Sequence, residues 1–146
     1  MFHKDGRNSF GVNHERALVA QLVDFLSSSG YRVRLEVSSM GQSVDLVATR
    51  GRWVTFLEAK MKDWRRAIRQ CRAHESVADY ICLALCLKKP SAELLEQVSA
   101  KGYGLVLCST NSRDCQWIAH PRRNPKVWLP QRRRTLSAMK GVPYAS

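Results

Sequence analysis

The chain has 146 residues, of which 45% are hydrophobic and 25% charged, a balance that indicates one globular domain and argues against a disordered chain. Lys and Arg total 24 against 12 Asp and Glu, and the resulting net charge of +12 attracts polyanions, nucleic acid before a membrane surface. No run approaches the roughly 18 apolar residues that a membrane span needs, and the first ten residues contain no apolar signal region. We therefore expect a cytoplasmic or nucleoid-associated protein with no membrane partner.

Hydrophobic periodicity predicts helices and strands in the order α, β, β, β, α, β, α, β. The helices are predicted over 14–29, about 63–75 and 92–101, and the strands over 31–37, 43–49, 53–60, 79–87 and 103–109, with a short strand over 115–119. Asn13 and Ser91 are the expected N-caps, and Gly30 and Gly102 the expected stops. This order predicts an α/β domain in which helices cover both faces of a mixed sheet.

The segment 121–146 carries seven basic residues and no acidic one, so we divide the chain into a domain over 1–120 and a basic C-terminal arm over 121–146. Trp128 and Tyr144 lie among these charges. An exposed arm, stacking on bases and docking back on the domain are all compatible with this pattern. The five cysteines show no metal-site spacing and are expected to be reduced core residues.

The second and third strands carry three charges where apolar residues would pack better. Gly51, at the first central position of a two-residue loop, predicts a type II′ turn, and counting outwards from that turn places Asp45 opposite Glu58. Opposed side chains have Cβ atoms about 5 Å apart, close enough to share a divalent cation, and Lys60 lies on the same face by strand periodicity. An exposed Asp45–Lys60 salt bridge beside Glu58 is the structural alternative.

Two helices add polar residues to the same region. Glu15 falls within the angular span of the apolar stripe of the first helix, either as an inward carboxylate or as a first-turn acid favoured by the helix dipole. Gln70 and His74 lie on one flank of the second helix, and Gln70 is placed to hold a water or a phosphate oxygen. Arginines of this helix and of the C-terminal segment are candidate phosphate contacts: Arg65, Arg66, Arg69, Arg72, Arg122, Arg123, Arg132, Arg133 and Arg134.

Taken together, Glu15, Asp45, Glu58-Ala59-Lys60 and Gln70 in an αβββαβ order resemble the PD-(D/E)XK nuclease superfamily, with a restriction-endonuclease-like fold. The "VDLVA" strand from Val44 to Ala48 is similar to that of small Holliday-junction-resolvase-like nucleases. The resemblance covers roughly 14–108. It implies that Asp45, Glu58 and the backbone carbonyl of Ala59 bind the metal and that Lys60 serves the hydrolytic water. Val44 stands where the motif's proline would be.

The expected function is accordingly that of a DNA endonuclease that hydrolyses phosphodiester bonds with Mg²⁺, for which Mn²⁺ substitutes. Branched or otherwise structured DNA is favoured by the resemblance alone. A nucleic-acid-binding module that does not cut and an RNA-directed nuclease are the alternatives. A homodimer is compatible with this activity, because a small nuclease needs two sites to cut both strands, but no stretch of the sequence identifies an interface.

Overall fold

A computed structural model describes residues 2–109, 111–112 and 114–145 of the chain. Its helices are α1 (Phe2–Ser28), α2 (Trp64–Arg72), α3 (Ala92–Lys101) and α4 (Leu129–Met139). Its strands are β1 (Arg32–Ser39), β2 (Gln42–Arg50), β3 (Trp53–Lys60), β4 (Tyr80–Leu85), β5 (Gly104–Cys108) and β6 (Cys115–Ala119). Within the described residues, no helix is long and apolar enough to cross a membrane.

The six strands form one mixed sheet in the order β1-β2-β3-β4-β5-β6. β1, β2 and β3 are antiparallel neighbours, β3, β4 and β5 are parallel neighbours, and β6 returns antiparallel to β5. The parallel pairs are those joined through α2 and α3, because a parallel connection needs a crossover rather than a tight turn. The prediction of an α/β domain with a mixed sheet is confirmed.

Tight turns set the register of the first three strands. Arg50 pairs with Trp53, and Gly51 has a φ of 60° while Arg52 has a negative φ, which is the type II′ turn that the sequence predicts. The β1–β2 connection is equally short: Met40 and Gly41 both have positive φ, at 56° and 75°, as a type I′ turn requires. Both hairpins are therefore fixed by two-residue loops.

Helices cover both faces of the sheet. On one face, called here the α1 face, Leu18, Leu22 and Leu26 are buried against side chains such as Leu46 and Leu57. On the opposite face, called here the α2 face, the remaining three helices bury their apolar side chains against the sheet: Ala67, Ile68, Cys71, Leu94, Val98 and Met139. The two cores lie on either side of strands β2 to β5, which explains why β4 is a continuous apolar run.

The C-terminal segment docks back on the domain. Ala145 donates its backbone N–H to the carbonyl of Val33 in the edge strand β1 at 2.7 Å, and the Arg34 side chain donates to the carbonyl of Val142 at 2.9 Å. The guanidinium of Arg34 also lies 4.0 Å from the ring centroid of Tyr144. Of the alternatives left open for this segment, the structure shows docking, which covers the edge of β1.

Three expectations about local structure are wrong. The first helix begins at Phe2 rather than after a cap at Asn13. The helix thus extends beyond the apolar stripe from which its start was predicted. The second helix ends at Arg72, because the chain then turns to bring Asp79 beside β3, where its N–H bonds the carbonyl of Val54. Cys108 and Cys115, expected as free thiols, are joined by a disulfide because the β5–β6 ladder places them directly opposite each other.

Candidate active site

Asp45 lies where β2 and β3 separate. The ladder follows the predicted register as far as Leu46 and Leu57, and then stops, one residue before Asp45 and Glu58 would pair. In place of a ladder bond, Asp45 Oδ2 accepts the backbone N–H of Ala59 at 2.9 Å. The carboxylate thus satisfies a donor that the end of the ladder leaves free, and it is fixed at the point where the strands diverge.

Glu58 is buried on the α2 face, where charge is costly without a partner. Its Oε1 lies 2.7 Å from Nε2 of His74, which follows the end of α2, and both side chains are no more than 2% exposed. The imidazole in turn packs edge-on against the ring of Phe56, with 5.2 Å between centroids. His74, which the sequence placed on the same helix flank as Gln70, is therefore the residue of that flank that contacts Glu58.

The two carboxyl groups perturb each other's protonation. Burial, and after it the hydrogen bond with Glu58, raises the pKa of Asp45 from 3.8 to about 6, although the Ala59 N–H and Lys60 act in the opposite direction. Burial also raises the pKa of Glu58, whereas it lowers the pKa of His74 to about 4, so that the imidazole is neutral at pH 7. Both carboxyl groups therefore retain a proton more readily than exposed acids, mainly because burial makes their ionised forms costly.

A cavity of about 610 Å³ opens beside Asp45 on the α1 side of the strand ends. Lys60 and Ala59 line it with Asp45, and Glu15 lines it from α1. Because α1 begins at Phe2, Glu15 lies well inside the helix, and the alternative of a first-turn acid no longer applies. The structure therefore brings together four of the predicted site residues around one cavity, while Glu58 lies behind Asp45 and does not line it.

Two acidic residues of this cavity were missed by the sequence analysis. Asp24 of α1 and Glu36 of β1 both line it. Glu36 has a φ of 52°, a left-handed conformation that is unfavourable for a residue with a Cβ and that is concentrated at functional sites. Glu36 continues the regular alternation of polar and apolar residues along this strand, so nothing in the sequence set it apart.

The strained position of Glu36 also reorients the strands. Leu35 pairs with Leu46, and both pack on the α1 face, but Val37 and its partner Val44 pack on the α2 face. The change of face occurs at the level of Glu36 and Asp45, which form no bridge with each other. This irregularity turns both strands over at the cavity, as β-bulges beside active sites do, and it leaves Asp45 accessible.

Gln70 is half-buried on α2, and its Oε1 is buried without a hydrogen-bond partner among the described residues. An unpaired buried carbonyl oxygen is costly, and a metal-bound water or an ammonium group would satisfy it. Within the described residues, no group of three His, Cys, Asp or Glu side chains is arranged to hold a metal. Mg²⁺ needs few protein ligands, because it retains several waters and takes substrate phosphate oxygens as further ligands.

The predicted phosphate-contacting arginines differ in availability. Arg66, Arg69, Arg133 and Arg134 are exposed, as are Arg72, Arg122 and Arg123. Arg65 forms an exposed ion pair with Glu93 at 2.8 Å. Arg132 is different, since its guanidinium makes two bonds to Asp79 and one to the carbonyl of Arg52, and only 19% of its side chain is exposed. Arg132 therefore holds the C-terminal segment on the domain, and its predicted role in nucleic-acid binding stays a prediction.

Comparison with known proteins defines the fold alone. No protein-family model matches the sequence, and no curated protein is significantly similar to it. A solved structure of a protein of unknown function from Silicibacter pomeroyi is similar, with a TM-score of 0.60 over 80% of this chain and 76% of that chain. The two sequences are 16% identical, so the similarity concerns the arrangement of helices and strands and carries no information about activity.

Proposed function

We propose that the chain is a Mg²⁺-dependent DNA endonuclease with a restriction-endonuclease-like fold of the PD-(D/E)XK type. The observation that carries the proposal is the position of Asp45 one residue beyond the last pair of the β2–β3 ladder, where it accepts the N–H of Ala59, the residue after Glu58. Lys60 and Ala59 line one cavity with Asp45, and Glu58 lies behind Asp45 outside that cavity. The order of elements from α1 to β4, with the hairpin between β2 and β3, supports the same fold type.

Asp45, Glu58 and the carbonyl of Ala59 would hold the metal, which when bound polarises a phosphoryl group and acidifies a coordinated water. Lys60, at the cavity wall, would orient the attacking water and neutralise charge that develops on the phosphate. Gln70 does not line this cavity, and its buried, unpartnered Oε1 would accept a hydrogen bond from a water held behind it. Glu15 would assist from the opposite wall of the cavity, where its carboxylate faces the same space.

A second candidate is a nucleic-acid-binding module that does not cut. Glu58 bonds His74 and Asp45 accepts the N–H of Ala59, so one oxygen of each carboxylate already has a partner within the protein. Fewer carboxylate oxygens are then free to bind a metal, which favours this candidate. The net charge of +12 supports affinity for nucleic acid in either case. An RNA-directed nuclease would use the same residues, so the choice of substrate separates it from the first candidate.

The test is metal-dependent cleavage of supercoiled plasmid, linear duplex, single-stranded DNA, branched DNA and RNA, with Mg²⁺, Mn²⁺ or EDTA. We expect cleavage by the wild type with either metal and a loss of at least about 100-fold in Asp45→Asn and Lys60→Ala, since each removes a group acting on the reacting phosphate. Lys62→Ala is the matched control, because Lys62 is an exposed lysine two positions along the chain.

The outcomes separate the candidates. Binding by the wild type without metal-dependent cutting of any substrate would leave the non-cutting module as the function. Cleavage that survives in both site variants would indicate a contaminating nuclease and reject the proposed site. Cleavage of RNA alone would support metal-dependent phosphodiester hydrolysis at this site but would make the protein an RNA-directed nuclease.

A further inference from the structure

A second cavity, of about 580 Å³, lies at the opposite end of the parallel strands from the candidate active site. It is formed where α2 and α3 end, beside the chain segment Arg122–Lys126, and we call it the basic groove. Ile81 lines it near the start of β4, whereas Lys60 of the active-site cavity pairs with Leu85 at the end of β4. The two levels are separated by about 13 Å along the strand, at about 3.3 Å per residue.

The basic groove is strongly and asymmetrically charged. Its lining includes five basic residues, Arg72, Lys101, Arg122, Arg123 and Lys126, and one acidic residue, Glu75. Glu75 binds Lys126, with Oε2 and Nζ 3.3 Å apart. In the part of the chain that the structure describes, the other four basic residues have no ion-pair partner, so a net positive charge remains on the groove walls.

Hydrogen bonds to the rest of the domain hold the segment Arg122–Lys126 in place along the groove. The side-chain amide of Asn124 donates to the carbonyls of Glu75 and Ala78, at 2.6 and 2.8 Å, and its backbone N–H donates to the carbonyl of Asp79. Arg122 donates to the carbonyl of Ser99 at 2.6 Å. These bonds fix the segment against the ends of both helices, so its basic side chains lose less conformational entropy when they bind an anion.

Two side chains suit the groove to phosphodiester groups. The guanidinium of Arg123 is stacked on Trp53, 4.6 Å from the ring centroid, which orients a planar donor that matches phosphate oxygens. Tyr103 also lines the groove and its hydroxyl has no hydrogen-bond partner in the described structure. Burial raises the pKa of Tyr103, which keeps this hydroxyl protonated and able to donate.

We propose that the basic groove binds the sugar-phosphate backbone of nucleic acid at a place separate from the cleavage site. The proposal rests on the proposed affinity for nucleic acid but not on cleavage, because the two cavities share no lining residue. A nucleic acid long enough to reach both cavities would contact the basic groove and the active-site cavity at the same time. Substitutions in the groove therefore weaken binding without changing the rate of cutting once substrate is bound.

The test compares the triple variant R72Q/K101Q/R123Q with the charge-matched control K88Q/K89Q/K140Q, whose exposed lysines do not line the groove. Binding of a fluorescent 20-base-pair duplex and a 20-nucleotide single strand is measured by anisotropy in EDTA, from 50 to 300 mM NaCl. Losing three phosphate contacts should reduce the slope of log affinity against log salt by about 2 to 3, and affinity at low salt by at least about tenfold. The control should change the slope by less than about 1.

Equal changes in the two triple variants would mean that binding follows overall charge, and would overturn the proposal. Displacement of DNA from the wild type by poly-glutamate as readily as by unlabelled DNA would also overturn it, in favour of an acidic protein ligand. Circular dichroism checks folding, and the single variant Arg123→Gln, at an exposed position, provides the readout if the triple variant does not fold. Absence of cleavage by the wild type would reject the proposed endonuclease and leave this binding test unaffected.

Discussion

Replacing Asp45 by asparagine should stabilise the metal-free protein above pH 6. In the folded state burial and Glu58 raise the pKa of this carboxyl from 3.8 to about 6. A carboxyl whose folded pKa is raised favours folding below its unfolded pKa, and this contribution disappears as pH rises through the folded pKa. The ionised carboxylate therefore opposes folding at pH 8, whereas asparagine does not titrate and can still accept the Ala59 N–H.

The difference between the two pKa values corresponds to an upper limit of about 3 kcal/mol in the free energy of unfolding. Because Asp45 is only half-buried, solvent screening reduces the expected gain to about 1 to 2 kcal/mol at pH 8. Glu58, whose pKa is also raised, retains part of the pH dependence. The stability of Asp45→Asn should consequently vary less between pH 4 and pH 8 than that of the wild type.

Urea unfolding in EDTA at pH 4, 5, 6, 7 and 8 measures both quantities. Mg²⁺ at ten times its dissociation constant should then stabilise the wild type by about 1.4 kcal/mol and Asp45→Asn by much less. Asp24→Asn is the control, since Asp24 is an exposed acid of the same cavity wall, and it should change stability by no more than about 0.5 kcal/mol. An Asp45→Asn variant that is less stable than the wild type at pH 8, or that Mg²⁺ stabilises equally, would refute the reasoning.

Three further substitutions test the structure around the site. Asp79→Ala should lower the free energy of unfolding by about 3 kcal/mol, because it leaves its arginine partner unpaired in a largely buried position; chemical denaturation measures this, and a neutral result contradicts the ion pair. His74→Phe should cost about 2 kcal/mol at pH 8, because it removes the group that faces Glu58, and an unchanged denaturation midpoint would argue against that contact. Gly104→Ala should cost about 2 kcal/mol, because its Cβ would lie 2.8 Å from Cδ of Pro121; a fully stable, soluble variant would show that the strand can shift.

The hairpin illustrates how much of the site local sequence can predict. A two-residue loop with Gly at its first central position allows one register, which the structure follows as far as Leu46 and Leu57, the pair next to Asp45 and Glu58. The period of two along β3 then relates the backbone positions of Glu58 and Lys60, two residues apart. These relations depend on backbone geometry over a few residues, so they could be counted from the printed sequence.

The bonding partner of each charged residue could not be predicted from local sequence in the same way. His74 bonds Glu58 across 16 positions, and Asp79 bonds Arg132 across 53, so both contacts arise only when distant segments pack together. The irregularity at Glu36 is likewise a property of two paired strands, and its positive φ leaves no mark in the residue type. Local patterns carry no record of such long-range partners.

The sequence by itself determined the order of elements from α1 to β6, the antiparallel hairpin and the proximity of Asp45, Glu58 and Lys60, because helical and strand periods and a glycine turn are local constraints. It did not predict α4, which lies in the segment treated as a basic arm. Only the tertiary structure decided that the C-terminal segment docks on β1 and that Cys108 meets Cys115. It also decided which charges face a cavity and which are buried. Burial is set by the packing of helices on both faces of an open, six-stranded sheet, and packing is a property of the whole chain.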